Sequence, residues 1–104
     1  MDNNPFVQKR LPADACYHEI VNQLRCFQSI LNDDCEVGII FPNYAPDMVL
    51  RITDIGYQNP DLVYFCGEIN GSDVHFIQHV SQINFALLAL KKPDPSLPAR
   101  RFSL

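Results

Sequence analysis

Hydrophobic and polar positions follow two different periods along the chain, and the change of period separates the predicted elements. Residues 1–11 show no clear period and are expected to form an extended arm. From Pro12, a residue suited to the first turn of a helix, to about Asp34, the apolar positions recur at helical spacing. This spacing predicts one long amphipathic helix whose apolar face needs a cover. The apolar positions are Tyr17, Ile20, Val21, Leu24, Phe27 and Leu31.

After the predicted helix the pattern becomes that of β strands. Strands are predicted over residues 36–41, 48–57, 62–69 and 72–80, with a loop at 43–47 and a turn at 58–61. Residues 82–90 are ambiguous, because Ile83, Phe85 and Leu87 alternate as in a strand whereas the run 86–90 has high helix propensity. A fifth strand is favoured, because nine residues would make only a short helix and the segment has no capping residue.

The dipeptide Asn70-Gly71 predicts a two-residue hairpin turn, and a turn of type I′ fixes the pairing of the flanking strands. Phe65 then faces Phe76, and Cys66 faces His75. Both faces of the hairpin carry large apolar groups, so we expect the helix to cover one face and a partner chain or ligand to meet the other.

The elements together predict an α+β fold in a single domain spanning residues 1–104. A small antiparallel sheet of four to five strands is expected, with the long N-terminal helix packed on one face. Residues 12–92 form the body, and residues 93–104 form an extended, Pro-rich basic tail.

Composition and charge narrow the function classes. The chain of 104 residues has 12 acidic and 8 basic residues, a net charge of −4, which disfavours a binder of long nucleic acids. No apolar run approaches the roughly 20 residues of a membrane span, and the N-terminus lacks the apolar core of a signal peptide. We therefore expect a cytoplasmic protein without a membrane partner. The four cysteines form no short metal pair and are expected to be reduced.

The basic residues are unevenly placed, and this is the most informative feature of the composition. Between Cys26 and Leu90 there are eight acids, and Arg51 is the single base. Arg51 is either an anion anchor on the sheet or an edge-strand arginine that pairs with an acid. Arg100 and Arg101, on the Pro-rich tail, either close over the same site or belong to a solvated terminus.

Catalytic and metal sites are not expected. Cys66 and His75 would face each other, but no Gly-rich turn into a helix follows Cys66 to supply an oxyanion hole, so packing is the favoured role. His75 and His79 on one strand lie about 13 Å apart, too far to share a metal ion. No phosphate-cradling glycine motif is present. The chain is predicted not to be an enzyme and to carry no metal or cofactor.

Residues 76–85 (FIQHVSQINF) and 98–101 (PARR) resemble the first-described family of phage Thoeris anti-defence proteins. The resemblance implies α+β oligomers that sequester cyclic ADP-ribose-type signals of bacterial TIR-domain enzymes, and in some members cyclic oligonucleotides, in pockets between subunits and without cleaving them. In that family an aromatic stacks on the base, an asparagine meets its polar edge and arginines hold the phosphates. The candidate ligand-binding residues are accordingly Arg51, Phe76, His79, Asn84, Phe85, Arg100 and Arg101.

Two other functions compete with a signal-binding sponge. One is an oligomeric protein–protein interaction module that uses an exposed aromatic sheet face. The other is a small hydrolase built on Cys66 and His75. The sponge alone requires Arg51 and the two tail arginines, so these residues distinguish the hypotheses.

Overall fold

The computed structural model describes residues 12–101, and within them the chain forms one α helix and one five-stranded antiparallel sheet. The sheet order is β4-β3-β2-β1-β5. The elements are α1 (Ala13–Ser29), β1 (Cys35–Phe41), β2 (Ala45–Gln58), β3 (Leu62–Ile69), β4 (Ser72–His79) and β5 (Ala86–Lys91), with a 3₁₀ turn at Val80–Gln82. The predicted α+β class with an antiparallel sheet is confirmed. The expected arm at residues 1–11 and the last three residues lie outside the described part.

The helix packs its apolar stripe on the three middle strands, β1, β2 and β3. Ala13, Ile20, Val21 and Leu24 are its buried residues, and they join the buried apolar side chains of the sheet in one core. The first turn is tied to the β2–β3 connection, because the Ala13 N–H donates to the Pro60 carbonyl at 2.9 Å. The helix ends at Ser29, a few residues before the predicted end, and Ile30 is largely exposed.

The β3–β4 hairpin has the predicted register. Phe65 pairs with Phe76, and Cys66 pairs with His75. Asn70 and Gly71 both have positive φ, 51° and 80°, as a type I′ turn requires. Because side chains alternate between the faces of a strand, Phe76 lies on the helix-covered face and His75 on the opposite face. We call this opposite face, the one away from α1, the second face.

Two strand predictions need correction. β2 begins at Ala45 and so includes residues predicted as loop, because a tight turn at residues 42–44 brings Ala45 opposite Phe41. β5 begins only at Ala86, so the alternation from Ile83 onward overstated its length. The strand rather than the helix is correct for residues 86–91, because β5 pairs along β1.

The chain's own tail covers part of the second face. After β5, the Lys92 N–H donates to the Asp34 carbonyl at 2.8 Å, and the chain then returns across the sheet until the Arg100 N–H reaches the Glu36 side chain. The sequence assigned this cover to a partner chain or a ligand. Within residues 12–101 no helix is long and apolar enough to cross a membrane.

Candidate functional site

Three arginines from distant parts of the sequence meet on the second face around one carboxylate. Glu36 on β1 is only 5% exposed. Arg51 on β2 donates from Nη1 to Glu36 Oε1 at 3.1 Å, and the Arg100 backbone N–H donates to Oε2 at 2.7 Å. The Arg100 side chain lies 3.7 Å from Glu36 and 3.5 Å from Glu68. We call Glu36, Arg51, Glu68, Arg100 and Arg101 the arginine cluster.

Strand register explains why these charges converge. Gly38, two residues from Glu36, pairs with Arg51, and Arg51 pairs with Glu68 on β3. Side chains at paired positions share a face, so the acids of β1 and β3 flank the arginine of β2. Arg51 also donates from Nη2 to the Lys91 carbonyl at 2.9 Å, which ties it to the end of β5. Arg51 is thus paired with an acid, as one interpretation of the sequence held, but on the central strand and not at an edge.

Arg101 is held differently from the other two arginines. Its guanidinium donates to three backbone carbonyls, those of Cys35 at 2.7 Å, Asn32 at 3.0 Å and Arg100 at 3.1 Å. Carbonyl oxygens are dipoles without a formal charge, so these contacts orient the guanidinium, and among residues 12–101 no carboxylate forms an ion pair with it. Counting the whole arginine cluster, three cations against two carboxylates leave one positive charge.

Shallow clefts adjoin the cluster on the second face. One of about 200 Å³ lies between Ile52, Thr53, Arg100 and Arg101. A second of about 300 Å³ also has Thr53 in its wall and continues toward β4. A third of about 340 Å³ is lined by Arg51 and the β3–β4 turn, among other residues. Small-molecule sites are usually about 300–1,000 Å³, so the cleft at Arg100 and Arg101 has room for a phosphate group and not for a whole nucleotide.

The predicted aromatic residues are not brought to the arginines. Phe76 stacks on Phe41 with ring centroids 4.2 Å apart, and Phe85 packs near Phe65 at 5.2 Å. Both rings adjoin the core under the helix-covered face. Phe76 pairs with Phe65, three residues from Glu68, so Phe76 and the arginine cluster lie on opposite faces of the sheet. Within one chain, a base stacked on Phe76 cannot place its phosphate at Arg51.

The two remaining predicted site residues also lie apart from the cluster. His79 accepts from the Ser81 N–H at 3.1 Å, has its Nδ1 2.8 Å from the Ser81 hydroxyl, and places Nε2 3.6 Å from the Asp61 carboxylate. These contacts make it the cap of the 3₁₀ turn. Asn84 is exposed in the short connection before β5. Neither residue contacts the arginine cluster.

Sequence reasoning missed the acids that organise the cluster. Glu36 is a charged residue inside the otherwise apolar strand β1, and this was a usable signal, because a charge in a buried strand needs a partner. Glu68 could be found only from the β2–β3 register, which depends on a turn without an Asn-Gly signature. Thr53, which lines two clefts, gave no signal in the sequence.

The Cys66–His75 pair faces across the hairpin as predicted. Burial, and secondarily the negative charge of Asp54, raise the pKa of the Cys66 thiol. A raised pKa keeps the sulfur protonated at neutral pH, and the thiol is a poor nucleophile compared with the thiolate. Within residues 12–101 no group of three or more His, Cys, Asp or Glu side chains is arranged to hold a metal ion.

The model of DUF6173, a family of unknown function, matches residues 7–104, nearly the whole chain. The chain belongs to the DUF6173 family. No curated protein and no solved structure matches it. Membership of the DUF6173 family assigns no function to the chain.

Proposed function

We propose that this protein binds a small cyclic nucleotide signal, of the cyclic ADP-ribose or cyclic oligonucleotide class, and sequesters it without cleavage. In this proposal the protein is a phage anti-defence sponge that acts in the cytoplasm of the host cell. The ligand's phosphates lie at the arginine cluster. The proposal follows from the resemblance of residues 76–85 and 98–101 to Thoeris anti-defence proteins.

One observation carries the proposal: three of the five arginines of this acidic chain, Arg51, Arg100 and Arg101, meet at one place. Arg51 is the single base among residues 26–90, and the tail returns to place Arg100 and Arg101 beside it. Guanidinium groups bind phosphate through paired hydrogen bonds, and a local cationic site on an anionic protein admits a small phosphorylated ligand while repelling a long nucleic acid.

The shallowness of the clefts favours a site completed by a second copy of the chain. A phosphate fits the cleft of about 200 Å³ at Arg100 and Arg101, and the adjoining cleft is also open, whereas binding sites usually bury most of their ligand's surface and would need further walls here. Ile77, 56% exposed on the second face, offers an apolar surface for such a contact. We therefore propose a homo-oligomer, and light scattering that gives a mass near 11.9 kDa at micromolar concentration would contradict this part.

Binding without cleavage is supported by the low reactivity expected of the Cys66 thiol. Cys66 is the one nucleophile that faces a histidine across the hairpin. Its raised pKa disfavours the thiolate that an attack would need. A sponge requires only a cleft and convergent polar groups. No metal or cofactor enters this proposal.

The proposal is tested by thermal unfolding with cyclic ADP-ribose isomers and cyclic di- and trinucleotides. A true ligand at a hundred times its Kd adds about 2.7 kcal/mol to the free energy of unfolding. For a domain of this size this raises the melting temperature by about 10–20 °C. The ligand should be recovered intact after denaturation of the protein. No shift with any of these compounds refutes the proposal, and a cleaved product refutes sequestration.

Matched variants locate the site. Arg101→Ala removes the least neutralised charge of the cluster, whereas Arg25→Ala removes an exposed helix charge whose contact is Asn22. We expect the first to weaken binding by about tenfold or more, because a hydrogen bond to a charged group contributes roughly 1.5–3 kcal/mol. The second should leave binding unchanged. Equal effects of the two would place the ligand elsewhere.

A protein–protein interaction module remains the second candidate because of specific exposed apolar residues. Tyr44 and Met48 are each 50% exposed, and Leu97 on the tail is 58% exposed. Such a module does not need the arginine cluster. It predicts that Met48→Ser abolishes assembly with its partner while Arg101→Ala does not.

A further inference from the structure

Two clefts on the second face both have Thr53 in their walls, and together they extend across β2, β3 and β4. We call these two adjoining clefts the groove. On one side of Thr53 the groove ends at Arg100 and Arg101. On the other side it passes over Cys66 and reaches His75 on β4. Neighbouring strands lie about 4.8 Å apart, so the part between Thr53 and His75 is about 10 Å long, the length of a nucleoside.

His75 at the far end of this groove has the features of a stacking platform. It is exposed, and its ring meets Tyr64 edge-on, with centroids 5.1 Å apart and planes at 77°. Edge-on ring contacts of this kind are favourable, so this contact favours the observed orientation of the imidazole. Within residues 12–101 neither ring nitrogen of His75 has a hydrogen-bond partner, in contrast to His79, whose ring caps the 3₁₀ turn.

The two ends of the groove differ in charge. Arg100 and Arg101 make one end cationic, and Asp73 lines the end near His75. A phosphate is attracted to the first end and repelled from the second. An amino-bearing base is suited to the second end, because the Asp73 carboxylate accepts hydrogen bonds from an exocyclic amine.

We infer that the His75 end of the groove is the base-binding subsite, in which a purine base of the ligand stacks on the His75 imidazole with its amino edge toward Asp73. This inference rests on the proposed function, and it replaces Phe76 and Phe85 as the stacking residues. Those rings pack under the helix-covered face, whereas His75 shares the second face with the arginine cluster.

The test compares ligands with and without a base. Binding of cyclic di-AMP, cyclic ADP-ribose and inorganic pyrophosphate is measured by calorimetry on the wild type, His75→Ala, His75→Phe and His18→Ala. His18 is a matched control, because it is an exposed histidine that meets Tyr17 edge-on at 5.3 Å on the helix.

We expect His75→Ala to weaken binding of the cyclic nucleotide by roughly five- to a hundredfold, the range for loss of one base–aromatic contact. Pyrophosphate binding should change less than about twofold, since its contacts lie at the cationic end. His75→Phe keeps an aromatic face and should retain most of the affinity. His18→Ala should behave as the wild type.

The outcomes separate this inference from the proposed function. If the wild type binds a cyclic nucleotide, Arg101→Ala weakens it and His75→Ala does not, the base lies elsewhere and the inference is wrong while the proposed function stands. If His75→Ala weakens pyrophosphate equally, the effect is structural and the inference is also wrong. If the wild type binds neither cyclic nucleotide, the inference falls together with the proposed function.

Discussion

The contact between Arg51 and Glu36 allows a sharp test of how the second face is held together. The side chain of Glu36 is 6% exposed, and the side chain of its partner Arg51 is 27% exposed. A buried carboxylate that loses its cation keeps the cost of its desolvation. The test is Arg51→Met, which removes the charge and preserves much of the side-chain volume.

The expected magnitude follows from what remains around Glu36. Removing one partner of a buried ion pair costs about 3–5 kcal/mol. The cost is smaller here, because Arg51 is partly exposed and the Arg100 N–H still donates to Glu36 Oε2 at 2.7 Å. We expect Arg51→Met to lower the free energy of unfolding by about 1–3 kcal/mol, and the melting temperature by about 5–20 °C.

Urea denaturation measures the effect, with Arg100→Ala as the comparison. Arg100→Ala removes an exposed side chain, 46% accessible, but keeps the backbone N–H that bonds to Glu36, so it should cost only about 0.5 kcal/mol. Combining Glu36→Gln with Arg51→Met removes both charges and keeps an acceptor for the Arg100 N–H, so it should recover at least about 1 kcal/mol relative to Arg51→Met alone. A loss of stability on Arg51→Met no larger than that on Arg100→Ala would show that the buried Glu36 carboxylate does not depend on Arg51.

Other perturbations test the fold and the tail. Gly67→Ala should destabilise by at least about 2 kcal/mol in urea denaturation, because a Cβ there would lie 2.1 Å from the Arg51 carbonyl oxygen. Gly71→Ala, which meets no neighbour but has φ +80°, should cost only about 1–2 kcal/mol. Iodoacetamide at pH 8 should alkylate the exposed Cys26 about tenfold faster than Cys66, whose pKa is raised, as mass spectrometry of the labelled peptides would show; equal rates would contradict this. Arg101→Ala should speed proteolysis of the tail and lower the melting temperature in the absence of ligand, because the lost hydrogen bonds hold residues 92–101 to β1; an unchanged digestion pattern would contradict this docking.

The last of these expectations differs from what the sequence indicated. The sequence predicted that Arg100 and Arg101 either close over a ligand site or belong to a solvated terminus. In either case, replacing them would leave the melting temperature without ligand nearly unchanged. In the structure both residues tie the tail to the body. A variant therefore needs a stability measurement before any loss of ligand binding is assigned to a missing phosphate contact.

Local patterns were sufficient for much of the fold. The period of the apolar positions separated helix from strand, and the Asn70-Gly71 turn set the β3–β4 register, because both signals act over a few neighbouring residues. The start of β2 at Ala45 and the late start of β5 depend on pairing with β1, which is a tertiary contact. The local secondary-structure propensities of residues 45–47 and 83–85 do not determine that pairing.

The site was less predictable than the fold because sheet order decides it. The hairpin register already placed Phe76 with Phe65 on one face, and that face proved to be the helix-covered one. The resemblance to a nucleotide-binding family suggested a stacking role for Phe76 that this geometry does not support within one chain. The register also put His75 on the opposite face, but only the order β4-β3-β2-β1-β5 shows that Arg51 lies two strands away.

The balance of charges decides which arginine a ligand can use. Arg51 already has the Glu36 carboxylate at 3.1 Å, and the Arg100 side chain lies within 4 Å of both Glu36 and Glu68, so a phosphate at either must compete with an internal carboxylate. Among residues 12–101, Arg101 is oriented by backbone carbonyl oxygens and has no carboxylate partner. In the proposed site, a phosphate is therefore expected to gain most at Arg101. The two glutamates already hold Arg51 and Arg100, so the expected phosphate position is the cleft that Arg101 shares with Thr53.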